Sequence, residues 1–338
     1  MEPVDRASGW LFAPLPDAVF VANLLWPVIA LTLVFSGWKS WTQHFVEVLW
    51  AYFLVTPHRW VTLPLVFLDP DRFEKRPRTF VGLGIAAFAL CAGVAAWDRA
   101  TGAELFVLLL AADYLWNAWH FASQTAGVFR IYGRAARPEH GGGELEKLAI
   151  RVFVLFVLFR LSANVLPTER YADLLGFVGR LALRAAPLDF VVLAIPVALL
   201  ARELLTWRTS AAGRVVYLVS FGSLYGLLLA LTRAHQSGVQ GLTTAILSLA
   251  LSAAIFHSLE YLAIVSWAVS KTRQPRGSFV WVKPRWLVVM VAFLTAVGWA
   301  SVVLSAQIAA LWMTVNLAVS YLHYAYDGII WKAPRRPA

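Results

Sequence analysis

Two apolar stretches of this 338-residue chain carry the same polar spacing. Asp113, Asn117, His120 and Gln124 stand at i, i+4, i+7 and i+11, and Asn316, Ser320, His323 and Asp327 repeat those intervals. At about 3.6 residues per turn each set forms one narrow helix face. His257 and Glu260 in FHSLEY share a face at i, i+3, and TPHRW adds His58 beside Arg59. Imidazole nitrogen and carboxylate oxygen are donors that transition metals accept. The single cysteine, Cys91, lies in an apolar run, so no thiolate cluster or disulfide framework is available and any metal is held by nitrogen and oxygen.

The candidate metal ligands are therefore His58, His120, His257 and His323, with Glu260 and Asp327 as further ligands or as acceptors that fix the imidazole tautomers. The same two carboxylates are the candidate catalytic bases. Asp113, Asn117, Gln124, Asn316 and Ser320 would support the ligands or face a substrate. A blander role stands beside each: intramembrane His, Asn, Ser and Gln also serve as interhelical hydrogen-bond partners. Pro57 and Arg59 are equally compatible with a surface loop around His58. Tyr261, Tyr324 and Tyr326 read as packing residues. Arg160 and Asn164 either pair with the site carboxylates or mark a helix end.

The elements that must position these groups are membrane helices. Sixty per cent of the residues are hydrophobic and 14% charged, and the mean hydropathy is +0.67. Such a chain cannot hide its apolar surface from water. Hydrocarbon admits only helices or closed barrels, and apolar runs near twenty residues long point to helices. The reading is an all-α polytopic bundle, one transmembrane domain over 1–338, with about ten spans at 17–38, 41–68, 79–97, 103–130, 147–166, 187–206, 213–232, 240–270, 286–306 and 308–331. Pro57 and Pro64 predict a kink or broken end in the second span. The stretch 172–185, with Arg180 and Arg184 among leucines, reads as an interfacial helix.

Basic residues cluster after alternate spans, at Arg72/Lys75/Arg76/Arg78, Arg130/Arg134/Arg137/Lys147, Arg202/Arg208/Arg214 and Lys271/Arg273/Arg276/Lys283/Arg285, and again at Lys332/Arg335/Arg336. The positive-inside asymmetry places those loops and both termini in the cytoplasm. The net charge of +10 thus reflects orientation and anionic lipid rather than nucleic acid. The N-terminal twenty residues lack the pattern of a cleaved signal peptide. Counted back from the cytoplasmic ends at ~1.5 Å per residue, His58, His120, His257 and His323 all lie roughly 12–20 Å deep. His44, His140 and His235 fall elsewhere.

Histidines and carboxylates near the cytoplasmic leaflet resemble in kind the membrane fatty-acid desaturases and hydroxylases, whose di-iron sites lie there. Their tight HxxxH and HxxHH boxes are absent, since no two histidines here stand within five residues. The residue set is also similar to that of membrane zinc hydrolases related to alkaline ceramidase, which use three His, an Asp and a Ser. WHFASQTAGVFRIY, FHSLEY and HYAYDGIIWK match no family pattern.

Composition and site together predict a metal-dependent membrane enzyme, in the cytoplasmic membrane of a bacterium, acting on a lipid or other apolar substrate. Six N/O donors exceed the three that catalytic zinc needs, which favours iron and an oxidoreductase with an electron donor as partner. Zinc hydrolase chemistry is the alternative. A proton- or cation-coupled transporter could use the same residues and would show broken helices; a haem protein with two axial histidines is a third class. Arg130, Arg134, Lys271 and Arg273 are the candidate headgroup-binding residues.

Overall fold

The computed structural model describes residues 9–36, 51–136, 143–165, 172–207, 211–272 and 275–331. Its main helices are α1 (Trp26–Phe35), α2 (Thr56–Phe67), α3 (Pro77–Thr101), α4 (Phe106–Ala136), α5 (Glu144–Val165), α6 (Ala172–Arg184), α7 (Asp189–Leu205), α8 (Ala212–Gln236), α9 (Thr243–Lys271), α10 (Trp286–Gln307) and α11 (Ala309–Ile330). No strand occurs among the described residues. The stretch 172–185 is helical, as expected, and is amphipathic, with Phe177 and Leu181 exposed.

Boundaries follow local chemistry. Pro77 opens α3, where its missing amide costs nothing, and Gly102 closes it at φ +68°. Asp98 then accepts the amides of Leu105 and Phe106 at 2.8 and 2.7 Å, so the end of one helix caps the start of α4. Ahead of α2, Ala51–Val55 forms a π-helical turn. Pro57 has no amide to donate one turn back and its ring crowds that turn, and the wider winding accommodates both. His58 therefore lies in the first turn of a helix, buried, and not in a surface loop.

Among the described residues, four helices are long and apolar enough to cross a membrane: Pro77–Thr101, Ala212–Gln236, Thr243–Lys271 and Phe279–Gln307. Pro14–Val21 with Trp26–Phe35, bent by 40°, adds a fifth if the pair is one span. Membrane association follows, because α3 and α10 carry long apolar faces that are exposed, as at Ile85, Leu90, Leu287 and Val288, and only hydrocarbon suits such surface. Helices also occur within the other expected spans, although 41–50 of the span expected at 41–68 lie outside the described residues; the polar stripes of α4 and α11 and the ionic residues of α5 lower their apolar character, and α7 is only 17 residues long.

The chain divides into two compact units, 1–44 with 118–267 and 45–117 with 268–338. In the first, α7 and α8 pack on α5 and α6 covers α5. Its core is aromatic: Phe129, Phe153, Tyr217, Phe221, Tyr225 and Phe256 are fully buried. In the second, α11 packs against α3 and α2, and α10 against α2 and the π-helical turn. Phe80 meets Tyr326 edge-on at 5.1 Å, and the Tyr326 hydroxyl donates to the Phe80 carbonyl at 2.6 Å. Cys91 is buried and free, as the sequence implies.

Candidate functional site: two buried histidine pairs

In the second unit α2 supplies His58 and α11 supplies His323, their rings edge to face at 5.1 Å. His58 Nδ1 lies 2.5 Å from the Val55 carbonyl. A carbonyl can only accept, so the proton belongs on Nδ1 and the Nε2 lone pair is the one a metal would use. His323 Nδ1 hydrogen-bonds the Thr62 hydroxyl at 2.7 Å and stands 3.9 Å from Asp327 Oδ2, one turn along α11. Donor atoms of His58 and His323 lie within 4.8 Å of each other, as do those of His323 and Asp327, and all three residues are buried. Buried His and Asp groups with this spacing could hold a metal ion.

Above this triad on α11, the Arg59 guanidinium donates to Ser320 Oγ at 2.5 Å and stands 3.9 Å from Asp113 Oδ2. Tyr324 donates to the other Asp113 oxygen at 3.0 Å, and Arg59 lies over the Tyr324 ring. Trp60 Nε1 donates to Asn316 Oδ1 at 2.9 Å. Asp113, Asn316 and Ser320 are thus tied into one polar network around Arg59, whose positive charge Asp113 offsets. Asn117 is half-buried on the same stripe of α4.

In the first unit His120 on α4 and His257 on α9 form the other pair, ring centroids 4.9 Å apart and again edge to face. Phe121 stacks on His257 at 3.8 Å, and Gln124 Nε2 donates to the His257 carbonyl at 3.0 Å, which fixes the α4–α9 register at this level. Glu260, one turn beyond His257, is buried and accepts from the Tyr217 hydroxyl at 3.1 Å. His235 sits in the last turn of α8 with Arg233, away from this pair along the chain's polar stripes. His44, His140 and Arg273 lie outside the described residues. Arg130 pairs with Glu144 at 3.1 Å, and Arg134 and Lys271 are exposed.

Two ionic clusters in this unit were not legible from spacing. The Arg160 fork embraces both Asp189 oxygens at 2.8 and 3.1 Å, and both residues are fully buried. Arg160 is therefore spent on Asp189 and does not serve Glu260. Arg214, expected as a loop charge, is instead buried, bonded to Glu146 at 2.8 Å and Glu203 at 3.1 Å, with Arg202 closing on Glu146. The partners are 11 to 68 residues apart in sequence and lie on different helices, so no single-helix spacing announces them. Compared with protein-family models, curated proteins and solved structures, the chain matches none.

Proposed function

We propose that the protein is a metal-dependent membrane enzyme, a non-haem iron oxidoreductase acting on a lipid or other apolar substrate. The observation that carries the reading is two buried pairings, His58 with His323 and His323 with Asp327, each of which presents donor atoms within 4.8 Å of each other. His120 and His257 form a second buried imidazole pair, with Glu260 one helical turn beyond His257. Ionisable groups are costly inside hydrocarbon, so a buried cluster of imidazoles and carboxylates is a functional-site candidate. A bound iron would supply redox chemistry there, with dioxygen as oxidant and an external electron donor. The protein's own part is to hold the ligand tautomers, as the Val55 carbonyl does for His58, and to keep water from the substrate.

In this reading the chain crosses the cytoplasmic membrane of a bacterium about ten times, with both termini and the basic loops inside. Zinc hydrolysis, with Glu260 or Asp327 as base, would need the same donors. One observation favours a carrier as the second reading: the 40° bend between Pro14–Val21 and Trp26–Phe35 resembles the broken helices of transporters. Metal analysis and an optical spectrum of detergent-purified protein separate the readings. Iron supports the oxidoreductase, zinc the hydrolase, a Soret band haem, and no transition metal the carrier.

A further inference from the structure

An apolar slot runs along the second unit between α2 and α10. Its volume is about 210 Å³, and Val61, Pro64, Leu68, Trp286, Val289 and Phe293 line it. No polar side chain contributes. Cavities of about 150 Å³ with such linings stay dry and take up benzene-sized guests, so this one suits a length of hydrocarbon chain. From Trp286 to Phe293 it extends roughly 10 Å, at ~1.5 Å per residue.

The two ends differ in chemistry. At one end the turn Lys283–Arg285 leads directly into Trp286, and Arg285 is exposed. Lys283 is anchored by a hydrogen bond to the Thr272 carbonyl, and Arg276 ties the preceding loop to Asp71 and Glu74, so the basic rim is held in place. At the other end lies Val61, one helical turn from His58 on α2. A tail seated in the slot therefore points from a cationic rim toward the buried histidine pair of the same unit.

We propose that the slot binds the chain of a long-chain carboxylate, a fatty acid, with its carboxylate on Arg285 and its chain carbons directed at the His58–His323 pair. This rests on the proposed function and names its substrate class. The slot admits one chain, not two, which selects a single-chain amphiphile over a phospholipid. The guanidinium of Arg285 presents the fork that a carboxylate accepts.

The test uses the full chain in detergent micelles or nanodiscs, with dodecanoate carrying a terminal diazirine as photoprobe and the matching dodecanol probe as control. Dodecanoate should crosslink to peptides covering Val61–Leu68 and Trp286–Phe293. Arg285→Gln should cut that labelling by about tenfold, the size of one lost charge-assisted hydrogen bond, and leave dodecanol labelling unchanged. Val289→Trp, which fills the slot, should remove labelling by both probes. Equal labelling by acid and alcohol with no response to Arg285→Gln would overturn the proposal, as would equal labelling of the exposed α3 face around Ile85 and Leu90. Metal content, measured on the same samples, keeps the two readings apart. Acid-dependent slot labelling in metal-free protein keeps the slot and removes the enzyme reading, whereas metal without slot labelling does the reverse.

Discussion

Asp189→Ala should be among the most damaging single changes outside the histidine pairs. Arg160 is fully buried and gives both Asp189 oxygens a hydrogen bond, with a third donor, Nη1, on the Ala182 carbonyl at 2.5 Å. Arg233 adds a bond to Asp189 at 3.3 Å and another to the Ala186 carbonyl at 2.9 Å. Removing the carboxylate leaves a buried cation whose only remaining contact of this kind among the described residues is a neutral carbonyl. Breaking a buried pair in this way costs about 3–5 kcal/mol. Arg160→Met should cost less, because Asp189 keeps Arg233, which is partly exposed and can still reach water. Replacing both as Arg160→Met with Asp189→Leu should recover much of the loss, since an apolar pair avoids the desolvation penalty. Thermal unfolding of the purified variants, with the double-mutant cycle, reads the coupling directly. Equal losses for the two single variants, or strict additivity in the cycle, would refute the argument that the uncompensated Arg160 charge sets the cost.

Gly298→Ala in α10 should cost about 1–3 kcal/mol, because a Cβ there meets the Phe53 ring, with Cε1 and Cγ at 2.7 and 2.8 Å. Phe53→Ala should suppress that effect, and an unchanged melting temperature for Gly298→Ala would count against the close packing of α10 on the π-helical turn. In the first turn of α5, the hydrogen bond from Lys147 and then the nearby Arg130 hold the Glu144 carboxyl below its ordinary value. Its contribution is therefore present above the unfolded carboxyl value near pH ~4.3 and is lost as pH falls through the lower folded value. Glu144→Gln should lower the melting temperature slightly at pH ~7 and not at all at pH ~3, and a gap that widens on acidification would contradict this sign. Gly213→Ala should destabilise α8 against the N-terminal segment, since the added Cβ meets the Gly9 carbonyl at 2.5 Å and Tyr132 Cε1 at 2.9 Å.

Sequence periodicity located what is local. The i, i+4, i+7, i+11 stripes lie on α4 and α11, and the i, i+3 relation of His257 and Glu260 holds on α9, because helical geometry converts spacing into a shared face. Of the histidines counted to one depth, His58 meets His323 and His120 meets His257, contacts between helices that spacing within a helix does not reveal. The number of spans was less legible. The residues that make α4 and α11 chemically interesting also lower their apolar character, and among the described residues only four helices, or five with the bent pair, are long and apolar enough by themselves. Pairings between distant segments left no local trace. Arg214 reads as one more loop cation until Glu146 and Glu203 are seen to surround it, and nothing near Arg160 announces Asp189. The slot beside Val61 is equally silent, because Leu, Val, Trp and Phe line cavities and cores alike.

The central claim is that the buried His and Asp side chains hold a metal, and elemental analysis of detergent-purified protein tests it most directly when wild type is compared with His323→Ala, with the triple replacement of His120, His257 and His323 by Ala, and with His235→Ala as control. Each loss of an interhelical hydrogen bond costs roughly 1–2 kcal/mol of bundle stability, so folded yield is measured on the same samples. The account predicts a transition metal in wild type and in His235→Ala, most of it lost from folded His323→Ala, and none in the triple variant. A triple variant that folds and keeps its full metal content, or wild-type protein purified without chelators that contains none, would contradict it.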